Sequence, residues 1–203
     1  MDTMGLTSQK AVNPAADAAR KDVISPVTPV RGDTTWLMSA FNSTSENTLS
    51  LFSSYDGKTF TSLASEVYTP ASGLLRDPSI LHAADGYYYV VYTTGWSTPA
   101  FGITRSRDLH HWEHLTDVKL DVPGLTNTWA PEWFQDADGT VSIVVSLSKG
   151  GTKGPFAAYV LTATDATLTH FSAPQAMQGL GNNHIYTFPI KVGDRYIVIT
   201  KNE

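Results

Sequence analysis

Cysteine does not occur in the 203-residue chain, which excludes disulfide bonds and thiolate-ligated metal sites but does not settle the compartment. Charge is also scarce, because only 16% of the residues are Asp, Glu, Lys or Arg. The formal net charge of −5 argues against nucleic-acid binding, which needs a basic face. No apolar run approaches membrane-spanning length, and the N-terminus lacks the apolar core of a signal peptide. We therefore expect no nucleic-acid or membrane partner, and no export signal within this chain.

The chain does contain enough apolar sequence for a sizeable core, since 41% of its residues are hydrophobic. A long helical period is missing from the pattern of these residues. Turn-forming residues are plentiful, with 15 glycines and 11 prolines. This combination favours an all-β domain.

One stretch organises the rest of the chain. Gly73–His82 is typical of a short strand, Asp85-Gly86 of a turn, and Tyr87–Thr93 of a second strand rich in aromatic and β-branched residues. The same layout recurs around Gly32-Asp33, Asp138-Gly139 and Gly193-Asp194. The turns repeat about every 53 to 55 residues, a period long enough for one four-stranded unit and typical of a β-propeller blade.

Each unit also has a matching second half. It consists of an alternating strand, a turn that begins with Asp, and an aromatic residue that can pack back on the blade. The Asp residues of these turns are Asp56, Asp108 and Asp165, and the aromatic residues are Phe60, Trp112 and Phe171. Two halves that recur in the same order support a propeller more strongly than either half alone.

The repeats divide the chain into residues 1–30, an N-terminal tail and lead-in strand, and residues 31–203, a partial β-propeller of about three and a half blades. The first repeat lacks an obvious innermost strand, unless Val23-Ile24 supplies it. The fourth begins near His184 and contains two strands before Glu203. Because a propeller closes on itself and leaves no blade edge open, we expect the sequence to be a fragment; the alternative is that a second copy completes the ring.

The innermost strands of successive blades begin at one mouth of a propeller, so residues one period apart are candidates for a shared site. Asp77 heads the inner strand of the second repeat, Glu132 follows 55 residues later, and Tyr186 follows after a further 54. We predict that these three side chains converge on one pocket. The neighbouring candidates for binding a ligand are Trp96, Trp129 and His184.

Carboxylates beside aromatic rings suit a sugar-cleaving site. One carboxylate can activate water while another group protonates the leaving oxygen, and in inverting enzymes the two stand about 6.5–9.5 Å apart. Structural roles are open for each candidate: Asp77 could cap a turn before Pro78, Glu132 could be buried for structural reasons, and His184 could bridge two blades. No His, Asp and Glu spacing resembles a zinc site.

Four motifs carry a resemblance to a known family. They are Arg76–Ile80, Asp85–Tyr89, Ser106–Trp112 and Trp129–Glu132. Together they resemble glycoside hydrolase family 43, whose members are five-bladed β-propellers that act on arabinans, xylans and related plant polysaccharides. The resemblance covers about Leu74 to Glu203 well and the first repeat weakly.

This resemblance implies an inverting hydrolase of α-L-arabinofuranosyl or β-D-xylosyl bonds, with Asp77 as the general base. Glu132 ends the Trp-Ala-Pro motif, a position that we assign to lining the pocket. The family's third carboxylate, an Asp that tunes the acid, is expected where this sequence has Tyr186. The general acid, a Glu in a Glu-Gly-Pro context, is expected roughly 40 to 60 residues after Tyr186 and so beyond this chain.

The resemblance further implies a secreted or extracytoplasmic protein that is monomeric at full length and binds an oligosaccharide or polysaccharide. It implies no cofactor, although some members hold a calcium ion on the propeller axis, for which the sequence identifies no ligands. Tyr186 motivates an alternative, a non-catalytic carbohydrate-binding propeller. A third hypothesis is a scaffold for protein partners, which would bind no glycan.

Overall fold

The computed structural model describes residues 9–12 and 34–202, and the account below concerns these residues. They form fourteen strands and one 3₁₀ turn, Gly151–Lys153. The strands are β1 (Gln9–Val12), β2 (Thr34–Phe41), β3 (Leu49–Ser54), β4 (Thr61–Tyr68), β5 (Arg76–His82), β6 (Tyr88–Thr93), β7 (Ala100–Ser106), β8 (Trp112–Lys119), β9 (Asn127–Gln135), β10 (Val141–Ser148), β11 (Phe156–Thr162), β12 (Gln175–Ala176), β13 (His184–Val192) and β14 (Arg195–Asn202). Within this described part, no helix has the length and apolarity needed to cross a membrane.

The strands form four antiparallel sheets in chain order. The first sheet contains β1 to β4, the second β5 to β8, the third β9 to β12, and the fourth β13 and β14. Neighbouring strands in each sheet are consecutive in sequence, so each sheet is a meander. The all-β prediction is confirmed, and three four-stranded sheets with one two-stranded sheet agree with about three and a half propeller blades.

The first sheet acquires its fourth strand from an unexpected segment. β1 pairs antiparallel with β2, with Lys10 opposite Trp36. This strand lies within the stretch predicted to be a tail, and it takes the place for which Val23-Ile24 was the sequence candidate. Val23-Ile24 lies outside the described residues. The division at residue 30 therefore stays a prediction.

Asp-led turns close the outer half of the blades, as the sequence predicted. In the first sheet, Asp56 Oδ1 accepts hydrogen bonds from the backbone N–H groups of Lys58 (2.8 Å) and Thr59 (2.7 Å). In the second sheet, Asp108 Oδ1 accepts from His110 (2.9 Å) and His111 (2.8 Å) in the same way. A tight turn leaves some backbone N–H groups without a backbone acceptor. The carboxylate accepts hydrogen bonds from these groups, which explains why Asp recurs there.

The core lies between the faces of neighbouring sheets. In β6, Tyr89 and Val91 belong to the cluster shared with the third sheet, whereas Val90 and Tyr92 belong to the cluster shared with the first. Because alternate residues of a strand point to opposite faces, the second sheet is sandwiched between its neighbours, as a blade is. Each fully buried side chain of this kind contributes about 1.5–3 kcal/mol. Gly102 is required beneath Tyr92, since an added Cβ would lie 2.3 Å from the ring.

The inner strands of successive sheets contact one another. β5 contacts β2 and β9, and β9 also contacts β13. At the opposite end from the strand heads, Asp136 links the third and fourth sheets by accepting from Lys191 Nζ (2.6 Å) and from the Tyr196 hydroxyl. The arrangement brings the first residues of β5, β9 and β13, far apart in sequence, to one place.

Candidate active site

Each of the three inner strands β5, β9 and β13 contains an irregularity close to its start. The pairing register shifts between Arg76 and Ser79 in β5, and corresponding shifts occur in β9 and β13. At these points Asp77, Ala130 and Tyr186 have φ angles of 49°, 48° and 52°. A bulge with one residue in the left-handed region re-aims that residue's side chain, and bulges of this kind recur next to active sites. Asp77, Ala130 and Tyr186 are therefore the equivalent positions of three successive sheets.

This equivalence corrects one expectation from the sequence. Glu132 was predicted to match Asp77, but the match is Ala130, and Glu132 corresponds instead to Ser79, two residues after the bulge. The intervals between equivalent residues are 53 (77 to 130) and 56 (130 to 186). The sequence count failed because the segments between successive inner strands differ in length, so the nearly constant period assumed from the sequence selects Glu132, two positions after Ala130.

Asp77 is buried, with both carboxylate oxygens held by hydroxyl donors. Thr93 Oγ1 donates to Oδ2 over 3.0 Å, and the Tyr186 hydroxyl donates to Oδ1 over 3.1 Å. Thr93 Oγ1 in turn accepts from the backbone N–H of Ala130 at 2.9 Å. The side chain of Asp77 is thus fixed by groups from the second, third and fourth sheets, at the junction of their inner strands.

Tyr186 places a phenol where the resemblance led us to expect a third carboxylate. Burial raises the pKa of Tyr186, and the negative charge of Asp77 raises it further, while Arg76 acts in the opposite direction. The hydroxyl therefore stays protonated at neutral pH and donates to Asp77. A donor in this position stabilises the ionised carboxylate of Asp77, whereas a second carboxylate would repel it.

Glu132 lies close enough to Asp77 to interact with its charge, and it is 6% exposed. Burial raises the pKa of Glu132 to about 8, with a hydrogen bond from the Ser79 hydroxyl opposing the shift and the charge of Asp77 adding to it. Its Oε2 atom has no hydrogen-bond partner within the described residues. Glu132 is therefore mainly a neutral carboxylic acid at pH 7, able to donate a proton to a hydrogen-bond acceptor.

The two tryptophans predicted to bind ligand lie side by side. The rings of Trp96 and Trp129 meet edge to face at 5.6 Å, and Trp129 stacks on Phe156 at 4.5 Å. Trp96 is 47% exposed, in the loop between β6 and β7. Successive strands of an antiparallel meander run in opposite directions, so this loop lies at the end of the sheet where β5 begins, beside Asp77. Trp112, at the start of β8, lies at the opposite end. The sequence did not decide between these two ends.

Several residues beside Asp77 were not among the site candidates predicted from the sequence. Arg76 forms an ion pair with Glu46 of the first sheet, and its guanidinium lies 4.3 Å from the centre of the Trp96 ring and 5.0 Å from that of Phe41. Thr93, at the end of β6, was also missed. Thr93 lies opposite Arg76 in the β5–β6 pairing, which is a signal that strand alignment could have supplied. Glu46 carries no comparable signal, because it belongs to a different repeat.

His184 begins β13 and is half-buried. Its Nδ1 atom is buried and has no hydrogen-bond partner in the described part of the chain. The structure thus brings Asp77, Glu132 and Tyr186 together and places Trp96 and Trp129 in one aromatic layer. Contact between His184 and a ligand stays a prediction.

Two surface cavities lie away from the candidate site, and neither is lined by a site residue named above. One, of about 260 Å³, is lined by Tyr87, Arg105 and Trp112 among others, and another, of about 200 Å³, by residues that include Val122 and Tyr159. Residues 9–12 and 34–202 contain no group of three or more His, Asp or Glu side chains that could hold a metal ion. No step proposed below uses a metal.

Several structural neighbours of this chain are carbohydrate-active enzymes. An exo-β-1,3-galactanase from Phanerochaete chrysosporium, solved with β-1,3-galactotriose, superposes with a TM-score of 0.65 at 12% identity, over 83% of this chain and 41% of its own. An arabinoxylan arabinofuranohydrolase from Bacillus subtilis, solved with cellotetraose, gives a TM-score of 0.59 at 15% identity, over 80% of this chain and 42% of its own. Similarity at these identities shows a common fold.

Sequence comparison gives a closer relationship. An α-L-arabinofuranosidase of Bifidobacterium longum subsp. longum is 27% identical over 163 residues, which are 65% of this chain and 15% of that protein. The chain therefore spans only a small part of the curated relative that it matches. The model of glycosyl hydrolases family 43 matches residues 70–202, which include β5 to β14 and every candidate site residue named from the sequence. This chain belongs to glycosyl hydrolases family 43.

Proposed function

We propose that the protein carrying this chain is an inverting glycosidase that removes arabinofuranosyl or xylosyl groups from plant saccharides, with Asp77 as the general base. The observation that carries the proposal is the immobilised carboxylate of Asp77, held on both oxygens by Thr93 and Tyr186 where three inner strands meet. The identity to an arabinofuranosidase supports an arabinose-containing substrate. We further propose an extracytoplasmic location and a monomeric full-length protein.

In the proposed reaction, a water molecule lies between Asp77 and the anomeric carbon of the terminal sugar. Asp77 accepts a proton from this water as its oxygen bonds to the anomeric carbon. The glycosidic bond breaks at the same time, and the leaving oxygen takes a proton from a general acid that we place beyond Tyr186 in sequence. Attack from the face opposite the leaving group inverts the anomeric configuration.

The remaining candidates would bind the sugar rather than react with it. The exposed ring of Trp96 and the edge of Trp129 offer an aromatic surface of the kind that accepts the apolar face of a sugar ring. Glu132, buried beside Asp77 and mainly protonated at neutral pH, would line the pocket. His184, near the start of β13, would add a polar contact at the same end.

A substrate panel with product analysis tests this proposal. The full-length protein is expected to hydrolyse 4-nitrophenyl α-L-arabinofuranoside or β-D-xyloside, and proton NMR should show that the first sugar released has the inverted configuration. A 4-nitrophenyl β-D-galactoside serves as the comparison, because one structural neighbour is a galactanase. Release of the retained anomer would exclude Asp77 as a base of this kind, and cleavage of the galactoside alone would overturn the proposed substrate.

A second function is favoured by one observation, the Tyr186 hydroxyl on Asp77 in the place of an expected carboxylate. Without that carboxylate the general acid would be poorly tuned, and the protein would bind carbohydrate without cleaving it. Under this hypothesis Trp96 and Trp129 still bind the sugar ring, whereas Asp77 only helps to shape the site.

Tyr186→Asp separates the two functions. We expect the parent to be active, since the base mechanism does not need a carboxylate at position 186. The variant should be less active, because it loses the hydroxyl donor to Asp77 and places a second negative charge beside it. The substitution suits the backbone, because Asp tolerates a φ of 52° better than Tyr does. Tyr186→Phe is the matched control, as it keeps the ring and removes only the donor to Asp77. An inactive parent with an active Tyr186→Asp variant would establish the binding function instead.

A further inference from the structure

The turn between β2 and β3 reaches from the first sheet to the candidate site through Glu46. The carbonyl oxygen of Glu46 accepts from the backbone N–H of Leu75 at 2.7 Å, and its own N–H donates to the carbonyl of Asn42 at 2.7 Å. Its φ of 55° is uncommon for a residue with a side chain. These contacts fix the backbone of Glu46 beside the start of the second sheet.

The carboxylate of Glu46 joins two residues of the second sheet. One oxygen forms the ion pair with Arg76, and the other accepts from Trp96 Nε1 at 3.2 Å. The side chains of Glu46 and Arg76 are 25% and 10% exposed, so the pair is shielded from much of the solvent. A charge-assisted hydrogen bond in such surroundings is stronger than one at an open surface.

Together these contacts hold the Trp96 ring in one orientation. The Arg76 guanidinium lies against the ring at 4.3 Å, and the ring of Trp129 meets it edge to face at 5.6 Å. Nearly half of the Trp96 side chain nevertheless remains exposed. An exposed indole in a loop would ordinarily lose rotamer freedom on binding a ligand, and a ring that is already held loses less.

We infer that Glu46 is a positioning residue of the sugar subsite, which fixes the indole of Trp96 for stacking on the sugar beside Asp77. The inference rests on the proposed function of this site. Glu46 and Phe41 lie before residue 70, where the match to the family model begins. The first sheet would then help to determine which saccharide the protein accepts.

Glu46→Ala in the full-length protein tests the inference. KM for the best saccharide of the panel is expected to rise about tenfold with kcat within twofold, because the loss affects binding in the ground and transition states alike. Glu46→Gln should fall between parent and Glu46→Ala, since its amide oxygen still accepts from Trp96 Nε1 but has no charge for Arg76. The matched control is Glu66→Ala, an exposed glutamate with a φ of 50°. KM unchanged in Glu46→Ala would overturn the inference.

The indole N–H signal of Trp96 in a ¹⁵N NMR spectrum, assigned with Trp96→Phe, provides a readout that does not depend on turnover. Glu46→Ala should move this signal, and saccharide binding measured by calorimetry should weaken about tenfold. In the Trp96→Phe background the same substitution should cost much less, because the two residues act together. If the binding losses of the two substitutions were additive, Glu46 would not act through Trp96 and the positioning role would be wrong. If the protein showed no turnover but Glu46→Ala still weakened saccharide binding, the positioning role would stand and only the proposed hydrolysis would be refuted.

Discussion

Replacing Asp77 by asparagine is expected to lower kcat for glycoside hydrolysis by about a thousand-fold in the full-length protein. General acid–base catalysis contributes about 10²- to 10⁴-fold, and an amide cannot accept the proton of the attacking water. The fold should persist, because Asn suits a φ of 49° and its amide can still bond with Tyr186 and Thr93. Steady-state kinetics and thermal unfolding of the same preparation provide the measurement.

Chemical rescue distinguishes a missing base from a damaged site. Asp77→Ala should be nearly inactive, and added formate, a small carboxylate, should restore part of the rate. Saccharide binding by the Asp77→Asn variant should stay close to that of the parent. Turnover within tenfold of the parent in Asp77→Asn would remove Asp77 from the mechanism and, with it, the central role that the proposal gives to this residue.

Replacing Glu132 by glutamine is expected to stabilise the protein at alkaline pH and to leave it unchanged near pH 4. The pKa of Glu132 is raised by burial from 4.5 to about 8. Between these values the folded state holds a proton that the unfolded state has released, so the stability from this group is complete below about pH 4.5 and is lost as pH rises through 8. The corresponding free energy is on the order of 5 kcal/mol at most.

Glutamine has the shape of protonated glutamate and does not titrate, so it should abolish this component of the pH dependence. The measurement is the midpoint of thermal unfolding from pH 4 to pH 9, where the curves of parent and Glu132→Gln should separate progressively above pH 5. Exposed Glu66 supplies the control, since Glu66→Gln should follow the parent throughout. A constant difference between parent and Glu132→Gln at every pH would show that Glu132 does not titrate as inferred.

Most of the strand pattern was predictable because it depends on local signals. Alternation of apolar residues indicated the strands, and the turns that begin with Asp56 and Asp108 use hydrogen bonds between residues two or three positions apart. The strand β1 was not predictable in this way. Gln9–Val12 is short and lacks the aromatic and β-branched pattern of the other inner segments. It forms a strand because it pairs with β2, not because of a local sequence signal.

The candidate site shows where residue counting fails. Spacing located Asp77 and Tyr186 but assigned Glu132 to the position that Ala130 occupies. The strands β5, β9 and β13 each carry the bulge, so the mismatch comes from the unequal lengths of the segments between them. Which residues are equivalent is therefore decided by the pairing of each inner strand with its neighbour. Glu132 nevertheless lies beside Asp77, because the inner strands β5 and β9 are in contact.

The sequence by itself determined the all-β repeat, its period and the choice of Asp77 and Tyr186, because repeated motifs preserve these features along the chain. Only the tertiary structure decided what holds those side chains. The hydroxyl of Tyr186 reaches Asp77 across 109 residues of sequence, and Glu46 reaches Arg76 across 30 and Trp96 across 50. Such contacts arise when separate sheets stack around one axis, and no local pattern of residues encodes that arrangement.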